Sequence, residues 1–387
     1  VKPSTRQSPP REQAKLPTST RNAIRRALLR WYDRGDRNLP WRKKHHDPYA
    51  QWVAEIMLQQ TRVDTVRRYY DRFLQRFPNV KSLAAAQETT VMKLWEGLGY
   101  YRRARNLHRS AKDLVSDRRD IPTTAASLRR LAGIGEYTAA AISSIAFGEV
   151  VPAIDGNVVR VVARLFAITE NVDTRTGKSD VARFALELIS PSRPGDFNQA
   201  WMDLGRLICT PQSPCCPACP LRKHCRGYAD GIVHQLPMLS RKKPPKAVRI
   251  LATLFMQSKR VLVIRENGCG WWSGLWSFPS MERTNGSSLP GTFRDLANRH
   301  GLAVKTIPKQ TATLRHQLTH RTIHFDIRLC NLSDSCATAA TRLTKNLTDA
   351  KWVTPKQFEQ LPVSTAHRKI WAQAMKKLCT TECVGDD

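Results

Sequence analysis

Four cysteines constrain this chain most: Cys209, Cys216, Cys219 and Cys225, spaced C-x6-C-x2-C-x5-C. Four thiolates on one short loop can wrap a single compact metal centre. Both zinc and iron–sulfur clusters take four cysteine ligands. Zinc ribbons set two C-x2-C pairs about fifteen or more residues apart. Here one tight pair is flanked by single cysteines, so a 4Fe–4S cluster fits better. Cys215 abuts Cys216 and reads as a spare. The competing reading is a chance cluster or a disulfide knot, which a long chain without a secretory signature disfavours. Cys269, Cys330, Cys336, Cys379 and Cys383 show no framework spacing, which fits a reducing cytoplasm.

The charge points to the partner. Lys and Arg total 63 against 32 Asp and Glu, a formal net charge of +31 over 387 residues. Such an excess calls for a polyanion, most simply nucleic acid. No run approaches ~18 uninterrupted apolar residues, so no membrane partner is expected. The length allows roughly two or three domains with cores of their own.

Composition divides the chain. Residues 1–20 are Pro-rich, polar and basic, a disordered tail. Residues 21–230 read as helical. Arg21–Tyr32 is amphipathic, Asp47-Pro48 signals a helix start before Ala50–Leu58, and Val63–Phe77, Thr124–Leu131, Ala139–Phe147 and Val158–Ala167 continue the pattern. Residues 231–247, with Pro237, Arg241-Lys242-Lys243 and Pro244-Pro245, have linker composition. In 248–378 the pattern becomes α+β, with strands at Arg249–Met256, Val261–Arg265 and Thr322–Cys330 and helices at Phe293–His300 and His367–Leu378. Residues 379–387 form a tail. A monomer is expected.

Leu131-Ala132-Gly133-Ile134-Gly135-Glu136-Tyr137-Thr138 lies between two helical stretches. Gly133 and Gly135 would let a turn bring backbone N–H groups close to a phosphate at a helix N-terminus. That is the helix–hairpin–helix grip on a DNA backbone. A plain helix–helix turn needing glycine is an equal reading of these residues alone.

Downstream lies Val151-Pro152-Ala153-Ile154-Asp155-Gly156-Asn157. A helix–hairpin–helix, an Asp shortly after it and the cysteine loop together resemble the endonuclease III superfamily of DNA glycosylases. Trp52-Val53-Ala54-Glu55-Ile56-Met57-Leu58-Gln59-Gln60-Thr61, Gly97-Leu98-Gly99-Tyr100-Tyr101 and Trp201-Met202-Asp203-Leu204-Gly205 narrow this to the MutY-type adenine DNA glycosylases. The resemblance is dense from Leu39 to Tyr228 and loose beyond. It implies a mainly α N-terminal glycosylase domain, a helix–hairpin–helix bundle with an iron–sulfur loop, and an α+β Nudix-like C-terminal domain. Its substrate would be double-stranded DNA with adenine opposite 8-oxoguanine or guanine, and its cofactor a 4Fe–4S cluster. The lyase branch of the superfamily carries a Lys where this chain has Tyr137, so a monofunctional glycosylase leaving an abasic site is expected. A related glycosylase with lyase activity and a non-catalytic iron–sulfur DNA-binding protein are the alternatives. The expected location is the cytoplasm at the nucleoid, or the nucleus for a eukaryotic source.

The residue types suit the chemistry. Cleaving the bond to adenine needs an acid for the leaving base and negative charge beside an oxocarbenium-like sugar. Two carboxyl groups in unlike environments divide that work. Glu55 lies mid-helix with Trp52 and Leu58 three residues to either side, and desolvation would favour its protonated form. Asp155 precedes a helix whose positive end suits a carboxylate; an N-cap is the plainer reading of that position. The resemblance makes Glu55 the donor to adenine N7 and Asp155 the partner of the sugar cation, with Tyr137 and Asn157 in the pocket. A base in a duplex must be flipped out to be reached. The resemblance makes Gln60 and Tyr100 the wedge and Thr61 a contact to the opposing base. Arg42, Arg102, Arg103, Arg105, Arg222, Lys223 and Arg226 are candidate phosphate contacts.

The C-terminal domain lacks the carboxylates of a working Nudix hydrolase. Ending the G-x5-E-x7-R-E-x2-E-E-x-G template on Gly301 puts Arg294-Asp295 at R-E and Asn298-Arg299 at E-E. Nucleotide hydrolysis is therefore not expected. The resemblance instead implies 8-oxoguanine recognition, with Leu318-Thr319-His320 at a Phe-Ser-His loop. Thr319 keeps the hydroxyl, and Leu318 loses the ring.

Overall fold

The computed structural model describes residues 15–35, 38–44, 46–241, 244–266, 272–284, 288–302, 304, 306–332 and 348–382. Most of the expected N-terminal tail, Lys242-Lys243 of the linker, Cys269, Cys336 and Cys383 fall outside them. The chain forms two compact units, Val1–Gln60 with Ser116–Arg241 and Thr61–Val115 with Lys242–Asp387. These units interleave along the sequence, so they are a different division from the contiguous 21–230 and 248–378 read from composition.

The first unit is helical. Helix Thr18–Arg34 turns Ile24, Leu28 and Tyr32 inward. They join Val158, Val161 and Val162 of helix Gly156–Leu165, Leu188 of helix Arg175–Leu188 and Phe197, Trp201 and Leu204 of helix Pro194–Leu207. Helix Pro48–Leu58 starts where the sequence signals it, with Asp47 accepting from the amides of Tyr49 and Ala50 at 3.0 Å each and Pro48 at its first turn. Every side chain from Tyr49 to Met57 is buried. Helix Glu136–Phe147 ends on Gly148, whose φ of 75° is left-handed.

The second unit is built on a sheet that, among the described residues, has seven strands: β1 Lys246–Gln257, β2 Arg260–Glu266, β3 Trp276–Ser277, β4 Ser280–Arg283, β5 Gln310–Gln317, β6 Arg321–Asn331 and β7 Thr348–Val353. The order β3-β2-β1-β6-β5 is completed by β4 on β1 and β7 on β2. β1 and β6 are parallel from Lys246↔Arg321 to Met256↔Asn331. The other pairs are antiparallel. Alternation along β1 puts Val248, Ile250, Ala252 and Leu254 on one face with Phe278, Ile323, Phe325, Phe358 and Ile370. Leu251 and Phe255 face the other way, against Phe293 and Leu296 of helix Leu289–Arg299. Arg294, Asp295, Asn298 and Arg299 occupy that helix's exposed side.

The segment with helices Val63–Arg76, Glu88–Leu94 and Arg102–Ser116 is bonded to the residues that follow β7. Arg368 Nε donates to Glu96 Oε1 at 2.5 Å, Lys93 Nζ to the carbonyl of Glu359 at 2.7 Å, and the Tyr101 hydroxyl to the carbonyl of Val363 at 3.2 Å. These bonds tie the turn carrying Gly97–Tyr101 to the C-terminal part of the same unit.

Candidate active site

Glu55 projects from the buried helix Pro48–Leu58 and is 3% exposed. Its Oε1 accepts from Gln51 Nε2 at 2.9 Å, and its Oε2 from the Tyr137 hydroxyl at 3.3 Å. Burial pushes its carboxyl up to about 7, with Asp155 adding to the rise and the bonds from Tyr137 and Gln51 and the charge of Arg42 opposing it. Tyr137, at the start of helix Glu136–Phe147, also reaches Met202 Sδ at 3.5 Å. Burial and the two carboxyl groups hold its hydroxyl well above the ordinary value, so it stays a neutral donor.

Asp155 caps a helix with one carboxyl oxygen and binds Asn157 with the other. Its Oδ1 accepts from the Val158 amide at 2.8 Å, the N-cap bond of helix Gly156–Leu165. Its Oδ2 accepts from Asn157 Nδ2 at 2.8 Å. Asn157 Oδ1 in turn accepts from Arg160 Nη2 at 2.8 Å. Arg160 also donates to the carbonyls of Gly205 and Cys209, each at 2.8 Å. Gly205 allows this assembly, because a Cβ there would lie 2.6 Å from Asn157 Cβ. Buried Asn198 braces the segment before Asp155 by accepting from the Ala153 amide and donating to the carbonyl of Val151.

Gly133 takes a φ of 81° in the hairpin turn, which favours glycine. Gly135 does not need its freedom: its backbone is extended, and an added Cβ would meet nothing within 4 Å. Both are exposed. Gln59 Nε2 donates to Thr138 Oγ1 at 2.9 Å and so ties the hairpin to the end of helix Pro48–Leu58. Gln60, next in the chain, is exposed with a φ of 56°. Arg42 turns inward instead of outward. Its Nη2 meets Asp203 Oδ2 at 2.6 Å, with both side chains 9% exposed.

Cys209, Cys216, Cys219 and Cys225 line one cavity with Arg164, while Cys215 is exposed. Two short 3-10 turns, Cys216–Ala218 and Arg222–His224, fold the loop over buried Leu221. Arg164, 2% exposed, anchors it by donating to the carbonyls of Thr210, Pro211 and Leu236 and to Cys209 Sγ at 3.4 Å. Burial raises the Cys219 thiol to about 12, and the neighbouring sulfurs add to the rise. Among the described residues no group of three or more His, Cys, Asp or Glu is arranged to hold a metal ion. Four cysteine side chains around one cavity are the donor type and number that a 4Fe–4S cluster would take. Arg222, Lys223 and Arg226 are exposed around the loop.

In the second unit Tyr100 is 48% exposed with a φ of 49°. Its turn is shaped by Gly97 and Gly99 at φ of 102° and 74°. The Tyr100 hydroxyl is hydrogen-bonded to Thr319 Oγ1. Thr319 and His320 sit exposed at the tip between β5 and β6, where the Leu318 amide bonds the carbonyl of Arg321. Leu318 packs against the sheet's core. Arg103, expected at a phosphate, is buried instead. Its Nη2 donates to Thr61 Oγ1 at 3.0 Å and to the carbonyls of Leu98 and Gly99, and its guanidinium lies over Trp95 and Tyr100. The helical period explains this: Arg103, Ala104 and Leu107 share the inward face, and Arg102 stays exposed. Arg105 is half-buried, with Nη1 directed at Ser273 Oγ at 3.3 Å.

Gln51, Arg160 and Asn198 escape sequence reasoning. Gln51 carries a weak signal, a polar residue one turn before Glu55 in an otherwise apolar helix. Arg160 stands three residues after Asn157, on the same helical face.

Residues 53–191 match the HhH-GPD superfamily base excision DNA repair protein family, and residues 251–373 match the NUDIX domain. The chain is 32% identical over 406 residues to an adenine DNA glycosylase of Homo sapiens, covering 90% of this chain and 73% of that protein. It is 39% identical over 297 residues to one of Arabidopsis thaliana, covering 67% of this chain and 47% of the relative. The match thus spans about half the length of the plant protein. A solved thermostable thymine-DNA glycosylase superposes with a TM-score of 0.50 at 27% identity, covering 55% of this chain and 98% of that one. No helix among the described residues is long and apolar enough to cross a membrane.

Proposed function

Since the chain belongs to the adenine DNA glycosylase family, we propose that it excises adenine paired with 8-oxoguanine or guanine in duplex DNA and leaves an abasic site. The observation that carries this reading is the buried Glu55 carboxyl, pushed up to about 7, in a site that also holds Asp155 as a hydrogen-bonded acceptor. At neutral pH the protonated fraction of Glu55 is substantial, as a general acid needs. With adenine flipped out, Glu55 gives its proton to N7 and the C1′–N9 bond breaks. Asp155 faces the cationic sugar, and water adds its oxygen to C1′ while the proton it releases returns to the Glu55 carboxylate, completing hydrolysis. Tyr137 holds Glu55 Oε2. With a tyrosine and no amine at that position, the chain forms no Schiff base there, which supports a monofunctional enzyme.

Gln60, with its left-handed backbone, and Tyr100 on its glycine-shaped turn suit the wedge role. Such strain is kept where surrounding structure holds it. Thr61 and the Thr319-His320 tip are assigned to the opposing base, and Arg102, Arg105, Gly133 and Gly135 to the backbone. Cys209, Cys216, Cys219 and Cys225 would hold a 4Fe–4S cluster, which would supply a rigid anchor for the basic loop. The protein would work as a monomer wherever its DNA is held, nucleoid or nucleus.

The test is a duplex with one adenine opposite 8-oxoguanine, sized after incubation with and without alkali. Cleavage at the adenine only after alkali is expected. Cleavage without alkali would overturn the monofunctional assignment, and no cleavage in either arm would overturn the activity.

A further inference from the structure

We propose that Gln51 is a positioning residue for the acid that protonates adenine: its side-chain amide keeps Glu55 Oε1 free of the proton and leaves the transferable proton on Oε2. This inference rests on the role proposed for Glu55.

Gln51 and Glu55 are one turn apart on helix Pro48–Leu58, the spacing at which helical side chains meet. Both are buried, at 2% and 3% exposure. A side-chain amide on a helix whose every residue from Tyr49 to Met57 is buried is costly unless it is hydrogen-bonded. Its Nε2 donates to Glu55 Oε1 at 2.9 Å. The carbonyl oxygen of a neutral carboxyl accepts better than its hydroxyl oxygen, so this bond favours Oε1 as the carbonyl and the proton on Oε2. The Tyr137 hydroxyl lies 3.3 Å from Oε2. A hydroxyl both donates and accepts, so Tyr137 can follow Glu55 through both protonation states. The other groups facing Glu55 are Asp155, at the N-cap of helix Gly156–Leu165, and Arg42 of helix Pro40–Lys43. Arg42 is itself paired with Asp203 of helix Pro194–Leu207. Gln51 is thus the group that makes the two carboxyl oxygens unequal. As a donor it also favours the ionised form and restrains the rise that burial imposes.

The test is Gln51→Met in the full chain, which keeps length and bulk but removes the donor. Single-turnover excision of adenine opposite guanine is followed across pH. The basic limb should move up by about one pH unit, and the plateau should fall several-fold. Binding to a duplex with a non-hydrolysable 2′-fluoro adenosine should be unchanged. A limb coinciding with that of the parent protein would overturn the proposal, whatever the plateau. Should the Met variant not fold, the parent protein labelled with 15N-glutamine decides. One side-chain amide pair should titrate with the midpoint of the basic limb and cease to do so in Glu55→Gln; the absence of such a pair would overturn the proposal. Near-parental excision by Glu55→Gln would instead remove the acid role itself. An inactive Glu55→Gln with an unmoved Gln51→Met limb would remove only the role of Gln51.

Discussion

Asn157 donates its side-chain amide to Oδ2 of Asp155 at 2.8 Å. Its other end accepts from Arg160, which reaches the carbonyl of Cys209. Asp155 is therefore oriented by a side-chain path that starts at the first cysteine of the loop. Asn157→Ala should lower single-turnover excision about 10- to 100-fold, since a hydrogen bond to a charged group contributes about 1.5–3 kcal/mol. Affinity for product duplex, measured alongside, should change little. Unchanged excision would remove Asn157 from the site.

Glu55→Gln should lose ~10²–10⁴-fold in excision while mismatch binding survives, because Gln keeps the shape and cannot deliver a proton. In the parent protein the acid must be protonated to act. Its carboxyl is raised to about 7, so the rate should fall as pH rises through that value. A flat profile across neutral pH would contradict an acid tuned by burial.

The same shift has a consequence for stability. The folded state holds the Glu55 proton more tightly than the unfolded chain, where the group ionises near 4.5. Stability is therefore undiminished below about pH 4.5 and falls as pH rises toward about 7. The full cost is on the order of 3 kcal/mol. Glu55→Gln escapes it, so its unfolding midpoint should match the parent's near pH ~4 and exceed it near pH ~8. Thermal scans at the two values give the answer, and a lower midpoint for the variant at the higher pH would refute the linkage.

Purified protein should be brown and carry about four irons per chain. Cys219→Ser should lose iron and DNA affinity together, since Cys219 lines the cavity shared with Cys209, Cys216 and Cys225. Cys215→Ser should lose neither, because Cys215 is exposed outside that cavity. Iron analysis and duplex binding separate the two. A colourless, zinc-loaded and fully active protein would sink the cluster assignment.

Tyr100 and Thr319 share one hydroxyl–hydroxyl bond. Thr319→Ala and Tyr100→Phe should each reduce preference for 8-oxoguanine over guanine several-fold, as expected for a net bond of ~0.5–1.5 kcal/mol. The double variant should be little worse than either single one, because one interaction is removed once. Single-turnover excision on both duplexes measures this; fully additive losses would show that the hydroxyls act separately.

The sequence by itself determined the local features. Asp47-Pro48 set a helix start, the apolar run of Arg249–Met256 set a strand, and Gly133 set a turn, because capping, strand propensity and positive φ depend on near neighbours. Cysteine spacing likewise marked the loop, and the family resemblance singled out Tyr137 and Asp155 for the proposed chemistry. Tertiary structure decided which polar groups meet. Arg103 and Arg42 look like surface cations in the sequence, yet one shapes the Tyr100 turn and the other pairs with Asp203. Gly135 looks like a conformational necessity and is not one. The pairing of Thr61–Val115 with the C-terminal sheet unit rests on contacts such as Glu96 with Arg368, 272 residues apart. The raised Glu55 carboxyl needs burial of a whole helix and neighbours from other elements. Desolvation depends on what surrounds a group in space, and residues distant along the chain supply that.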